Sequence, residues 1–240
     1  MSNEQECTQE ENLRRELVRC SRWLSRLGYT PGTSGNLSVR LDGQRLLVTP
    51  TGVSKRRVKA ADLVIVDLQG RLLAGSRNVT SEIGMHVAVY EARSDVAAVV
   101  HAHPSTATAF ACSGRALDEM LCQEAVMTLG SVPLAQYATT GTQEVANSLD
   151  PYLARHDAIL LANHGAVTYG STLLEAFMKM ETVEHVAQVN LVAHQLGSPR
   201  PLLAEQVEQL QRAKSKYQNY ATDQSEARPA FAAMSPRTAV

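Results

Sequence analysis

Residues 36–48 constrain the fold more than any other stretch. NLSVRL at 36–41 and RLLV at 45–48 flank Asp42-Gly43. Two short apolar runs about an Asp-Gly pair predict an antiparallel hairpin. A second pair of runs, at 62–68 and 71–73, flanks Gln69-Gly70 and predicts another. A sheet that opens with two hairpins is largely antiparallel, because parallel neighbours need long crossovers.

Helical periodicity surrounds these strands. Over residues 8–27, Leu13, Leu17, Cys20, Leu24 and Leu27 recur at three- and four-residue spacing. Arg14, Arg15, Arg19 and Arg22 fall between them, as on an amphipathic helix that ends at Gly28. A helix is predicted over 81–93, with Ile83, Val87 and Tyr90 on one side, and a β-branched strand over 96–102. Residues 104–114 read as a small-residue segment. Helices are predicted over 143–156, 172–196 (ending at Gly197) and 205–220, and a buried strand over 158–162. No repeat or low-complexity linker divides the chain, so one α/β domain spans 8–220. The tail, 221–240, lacks periodicity and is expected to be loose or ordered by a neighbouring subunit.

The 240 residues are 44% hydrophobic, enough to bury a core. Twenty-three Lys and Arg stand against 24 Asp and Glu, which argues against nucleic acid or a membrane surface as partner. Cys7, Cys20, Cys112 and Cys122 lie far apart with no C-x-x-C spacing, and no early apolar run resembles a signal peptide. A reduced, cytoplasmic chain is the expectation.

The strongest chemical signal is His101-Ala102-His103. On a strand, residues i and i+2 face one side, so both imidazoles can converge on one cation, and imidazole suits zinc and its neighbours. His164, after the predicted strand at 158–162, could add a third nitrogen, with Gly165 letting the backbone bend to aim it. The alternative is two histidines on a solvated strand edge and an unrelated loop histidine. Glu82 follows Thr80-Ser81 at a predicted helix start, where it could favour the exposed N–H groups or stand beside a metal as ligand or base. Two loops, 33–36 (TSGN) and 49–52 (TPTG), hold the small and hydroxyl residues of an anion cradle, or of ordinary turns.

These motifs, in order with Tyr137-Ala138-Thr139, Gly141-Thr142 and Asn163-His164-Gly165, resemble the class II aldolase/adducin family over residues 11–220. The resemblance implies a three-layer α/β/α domain around a central, largely antiparallel sheet, assembled as a homotetramer with sites near subunit boundaries. By matched position, His101, His103, His164 and Glu82 would bind Zn2+, with Mn2+ or Co2+ as alternatives, and Glu82 would double as base. Thr33, Gly35, Asn36, Thr51, Gly52, Thr80 and Ser81 would hold a substrate phosphate. A family tyrosine given to a neighbouring site matches Cys122 here. Glu124 stands where other branches place an acid-base residue, and Tyr217, ahead of Tyr220, best matches a tail tyrosine.

The implied reaction is cleavage of a ketose 1-phosphate of fuculose, deoxypentulose or methylthioribulose type. It would give dihydroxyacetone phosphate and an aldehyde through a zinc-stabilised enediolate. The family's other chemistries, pentulose-phosphate 4-epimerase and methylthioribulose-1-phosphate dehydratase, and a non-catalytic adducin-like scaffold stand as alternatives.

Overall fold

Asn36, Leu37, Ser38 and Val39 are all buried, although successive strand residues point to opposite faces. A strand buried on both sides must be covered by two layers. The computed structural model, which describes residues 3–224 and the side chains of 7–214, places this strand, β1 (Asn36–Arg40), within an eight-stranded sheet. The others are β2 (Arg45–Val48), β3 (Val64–Asp67), β4 (Leu72–Ala74), β5 (Ala98–Ala102), β6 (Leu134–Ala135), β7 (Ala158–Leu161) and β8 (Gly165–Gly170). Their spatial order is β4-β3-β2-β1-β5-β8-β7-β6, antiparallel throughout except for the parallel β6–β7 pair.

Six α-helices accompany the sheet in the described residues: α1 (Asn3–Arg26), α2 (Ile83–Ala92), α3 (Ser105–Cys112), α4 (Gln143–Leu153), α5 (Leu173–Leu196) and α6 (Ala204–Gln224). On one face Leu37, Val39, Leu47, Val100 and Leu160 pack with Leu17 and Leu24 of α1, Phe110 of α3 and Phe177, Met180 and Val183 of α5. On the other, Leu46, Val66, Val99, Ile159 and Tyr169 pack with Met85 and Val89 of α2 and Val145 and Leu149 of α4. This is the expected α/β/α arrangement with a mostly antiparallel sheet. No helix among the described residues is long and apolar enough to cross a membrane.

Both hairpins form, but an aspartate organises each turn. Asp42 Oδ1 accepts from the amides of Gln44 (2.8 Å) and Arg45 (2.9 Å). Leu41 N donates to Arg45 O, so three residues connect the strands, and Gly43 is not in the left-handed region. Asp67 Oδ1 plays the same part for Gln69 and Arg71, there with Gly70 at φ +74°. The helix read over 172–196 starts as expected, with the Thr172 side chain accepting from Glu175 N, and its C-cap is Gly197 at φ +87°.

Among the elements that differ from expectation, such as the unforeseen strand β6, two flank the histidines. Residues 104–114, read only as a small-residue segment, contain α3. Glu184 of α5 accepts there from the amides of Thr106 (3.0 Å) and Ala107 (2.9 Å), so a distant carboxylate caps the helix. Residues 165–170, GAVTYG, form β8, fully buried between β5 and β7. Glycines at both ends masked its strand character. The tail from 225 onward lies outside the described residues, as does any role for it.

Candidate metal centre and adjoining cavity

β5 is a central strand, paired to β1 on one side and β8 on the other, and it carries His101 opposite Asn36 and Val167. His101 is fully buried, and its Nδ1 lies 2.9 Å from Ala166 O. A carbonyl can only accept, so Nδ1 carries the proton and Nε2 presents a bare lone pair. His103 follows the strand end, its backbone N donating to Tyr29 O, and brings its Nε2 to 3.0 Å from His101 Nε2. His164 completes the cluster, with the three ring centroids 4.7 to 4.8 Å apart.

Gly165 acts differently from expectation. The backbone bend falls at Asn163, a non-glycine residue at φ +57°, whereas Gly165 is not left-handed. A Cβ at 165 would stand 2.6 Å from Ala102 O and 2.7 Å from His103 Cδ2, so the glycine is required by close approach. Gly35 has both constraints. It has φ +70°, and a Cβ there would meet Thr30 Cγ2 at 2.7 Å and His101 O at 2.8 Å.

Glu82 occupies the N-cap position of α2, yet its side chain makes no capping bond. It turns to the histidines instead, with Oε2 3.3 Å from His101 Nε2 and Oε1 3.2 Å from His164 Nε2. Oε1 is buried without a hydrogen-bond partner among the described residues. Bare imidazole nitrogens facing one another and a carboxylate repel unless a cation lies among them, so this donor set fits a bound metal ion. The three histidine nitrogens converge within 4.8 Å of one another, the spacing of a shared ligand sphere.

The ionisation states agree. Burial above all pushes His103 down to about 3 and His164 to about 4, so both stay neutral as ligands must. Burial alone would raise the Glu82 carboxyl, but positive charge at His101 or His164, protonated when no metal ion supplies that charge, and the Asn36 amide outweigh it and hold the group well below the usual carboxylate range. Behind Glu82 runs a buried polar chain. Asn36 Nδ2 donates to Glu82 Oε2, the Asn36 amide oxygen accepts from His86 Nε2, and His86 Nδ1 meets the Ser38 hydroxyl, which meets Tyr90. His86 is fully buried and held neutral, pushed down to about 3 chiefly by burial.

A cavity of about 380 Å³ opens beside this centre. Thr33, Gly35, Asn36, Thr51, Gly52, Thr80, Ser81, Glu82, His103 and His164 all line it, so the two loops and the histidines share one space. Asn36 has both ends of its amide committed to protein. His101 lies just behind the wall. Glu124 does not line the cavity; it is exposed, beside the π turn Ala125–Leu129, with Cys122 as its hydrogen-bonding neighbour. Tyr217 falls in α6, and its side chain lies outside those described.

Ser34 and Pro50, members of the two expected loops, also line the cavity, and two lining residues were missed in the sequence, Lys55 and Thr140. Lys55 is the more consequential. It opens Lys55-Arg56-Arg57, and it is 1% exposed while the two arginines face solvent. Burial pulls its ammonium down to about 8, against the opposing pull of Glu82. Thr140 lies between Tyr137-Ala138-Thr139 and Gly141-Thr142, the two stretches noted as a motif.

Comparison with known proteins places this geometry. The chain is 37% identical over 178 residues to a 3-oxo-tetronate 4-phosphate decarboxylase of Haemophilus influenzae, covering 72% of this chain and 84% of the relative. It is 34% identical over 208 residues to a 5-methylthioribulose-1-phosphate/5-deoxyribulose-1-phosphate aldolase of Rhodospirillum rubrum, covering 87% and 92%. Among solved structures, an L-fuculose 1-phosphate aldolase superposes with a TM-score of 0.80 at 33% identity, covering 85% of this chain and 96% of that one. Residues 15–191 match the family described as the class II aldolase and adducin N-terminal domain, and the chain belongs to that family.

Proposed function

We propose that this chain is a zinc-dependent aldolase that cleaves a ketose 1-phosphate to dihydroxyacetone phosphate and an aldehyde. The observation that carries the reading is the shared cavity, which sets hydroxyl- and glycine-rich loops a few ångströms from a bare histidine cluster and an orphaned carboxylate oxygen. His101, His103, His164 and Glu82 would hold the zinc, with manganese or cobalt as substitutes. When bound, the ion supplies a Lewis acid to the substrate's carbonyl oxygen.

The chain's own groups do the rest. Thr33 with Gly35 and Asn36, Thr51 with Gly52, and Thr80 with Ser81 receive the phosphate, and fixing that end orients the carbon chain toward the histidines. As the C3–C4 bond breaks, its electron pair stays with C3, and the C4 hydroxyl loses its proton to become the aldehyde. Glu82, ionised at rest, first takes up a proton from water through Oε1 and then passes it to C3, while the proton from the C4 hydroxyl goes to a separate base. Glu124 and Tyr217 are assigned to the C4 oxygen of a neighbouring protomer's cavity, in a homotetramer.

The test is a coupled assay for dihydroxyacetone phosphate on protein of known metal content, across fuculose, ribulose, deoxyribulose and methylthioribulose 1-phosphates. Triose release that a chelator abolishes and zinc restores supports the reading. An isomer without triose, or loss of water alone, moves the assignment to epimerase or dehydratase chemistry. The Haemophilus relative favours one further reading, decarboxylation of a four-carbon 3-oxo acid 4-phosphate; that reaction also leaves dihydroxyacetone phosphate, so carbon dioxide released in place of an aldehyde would identify it.

A further inference from the structure

Two lysines are deeply buried among the described residues, and they are satisfied in different ways. Lys179 Nζ meets two carboxylates, Asp157 at 2.8 Å and Glu175 at 2.7 Å. Lys55 Nζ has only backbone partners, Thr33 O and Val53 O, each at 3.0 Å. No carboxylate of the described residues lies within ion-pair distance of it. An ammonium has three N–H groups, so two carbonyls leave one donor free and no carboxylate in contact with the charge, Glu82 pulling on it only from beyond contact. Burying a charge unpaired is costly, by several kcal/mol per ion.

The location says what would complete it. Among the described residues Lys55 is the sole lysine or arginine lining the cavity, and its two carbonyl partners belong to the 33–36 loop and to the residue after Gly52. Nearby, Ser34 Oγ is buried without a hydrogen-bond partner. The amides of Ser34 and Thr51 are already committed to Pro31 O and Asn78 O, so those loops offer an anion less backbone than their composition suggests.

We propose that Lys55 is the positive partner of the substrate's phosphate dianion, pairing with it through the third ammonium hydrogen while its other two tie the loops together. The inference rests on the sugar-phosphate reading above. It makes recognition of the phosphate an ion pair in a buried setting, where a neutral end group gains nothing comparable. It also couples capture to order, because the group that meets the anion is the one that fixes Thr33 and Val53.

The experiment is calorimetric titration of zinc-loaded protein with inorganic phosphate, in wild type, K55M and K55R. K55M keeps the length of the side chain without its charge. Phosphate affinity should fall on the order of 30-fold or more in K55M, with zinc content unchanged and K55R recovering part of the loss. K55M binding phosphate as wild type does would reduce Lys55 to a tie between loops and overturn the proposal, as would wild type failing to bind phosphate. Should K55M fail to fold, a wild-type crystal grown in phosphate decides: an anion oxygen about 3 Å from Lys55 Nζ supports the pairing, and a phosphate seated elsewhere refutes it. Phosphate affinity lost in K55M, in a protein that cleaves no ketose phosphate, would sink the aldolase and keep this inference. Cleavage by K55M with unchanged KM would do the reverse.

Discussion

Asn36 donates its side-chain amide to Glu82 Oε2 over 2.7 Å, and it can do so in one orientation only, because His86 holds its amide oxygen. Hydrogen bonds to charged groups are worth about 1.5–3 kcal/mol. Replacing Asn36 by Ala strips Glu82 of that donor and leaves His86 without its acceptor. In steady-state assays of ketose-phosphate cleavage, kcat/KM should fall on the order of 10- to 100-fold. Near-normal kinetics with the metal in place would mean that the histidines alone pose the carboxylate.

Glu82→Gln and His103→Ala should separate chemistry from metal binding. The glutamine preserves shape and much of the metal but has no carboxylate to move a proton, so turnover should be lost while the protein stays folded. Removing the His103 imidazole should lower metal affinity by more than the roughly 10- to 100-fold typical of losing a supporting partner. Metal analysis of both purified variants, beside activity, tests the division.

The metal-free protein should lose stability as acidity rises. Folded His86 and His103 protonate near 3 and His164 near 4, whereas unfolded histidines do so near 6.5. Between those values the unfolded chain binds protons that the folded one refuses, so the contribution is complete above about 6.5 and falls away toward 4 and 3. Tm of chelator-treated protein should therefore drop steadily from about pH 7 to pH 5. A flat profile would show that these rings are not held neutral.

Gly165→Ala should damage the centre without touching a ligand. The added methyl would meet Ala102 O at 2.6 Å and His103 Cδ2 at 2.7 Å, so either β8 or the ring must shift. Overpacking of this kind costs about 1–3 kcal/mol. Both Tm and metal content should fall; a variant with lowered Tm and full metal would show that the sheet yields and the ring does not.

Glu184→Ala should loosen the start of α3, two residues beyond His103. The buried carboxylate satisfies the Thr106 and Ala107 amides from another helix, and leaving those donors unpaired costs about 1–3 kcal/mol each. Denaturant unfolding should show a loss of at least 2 kcal/mol or so, with Glu184→Gln milder.

The two hairpins could be read from residues 36–73 because each turn signal is local. Asp42 and Asp67 accept from amides two to four residues away. α3 and β8 resisted reading because what makes them regular is distant: a carboxylate 78 residues along the chain for Thr106, and two strands that bury GAVTYG on both sides. The histidines were visible from spacing, but Glu82 could equally have been a helix cap until its side chain was seen to make no capping bond. Lys55 was hidden by its neighbours, since charge runs are ordinarily solvated and nothing in Lys55-Arg56-Arg57 distinguishes the buried member. Glu124, matched by position alone, stands outside the cavity of its own chain.

His101 sits on the strand at the heart of the sheet, laddered to β1 and β8 at once. Such a strand cannot fray; its amides exchange with solvent only when the whole domain opens. An ion gripped there has no local exit by backbone opening, and its binding free energy is added to the stability of the entire domain by mass action. Chelation should then act as a denaturing stress felt by every element, down to hairpins that never approach the metal.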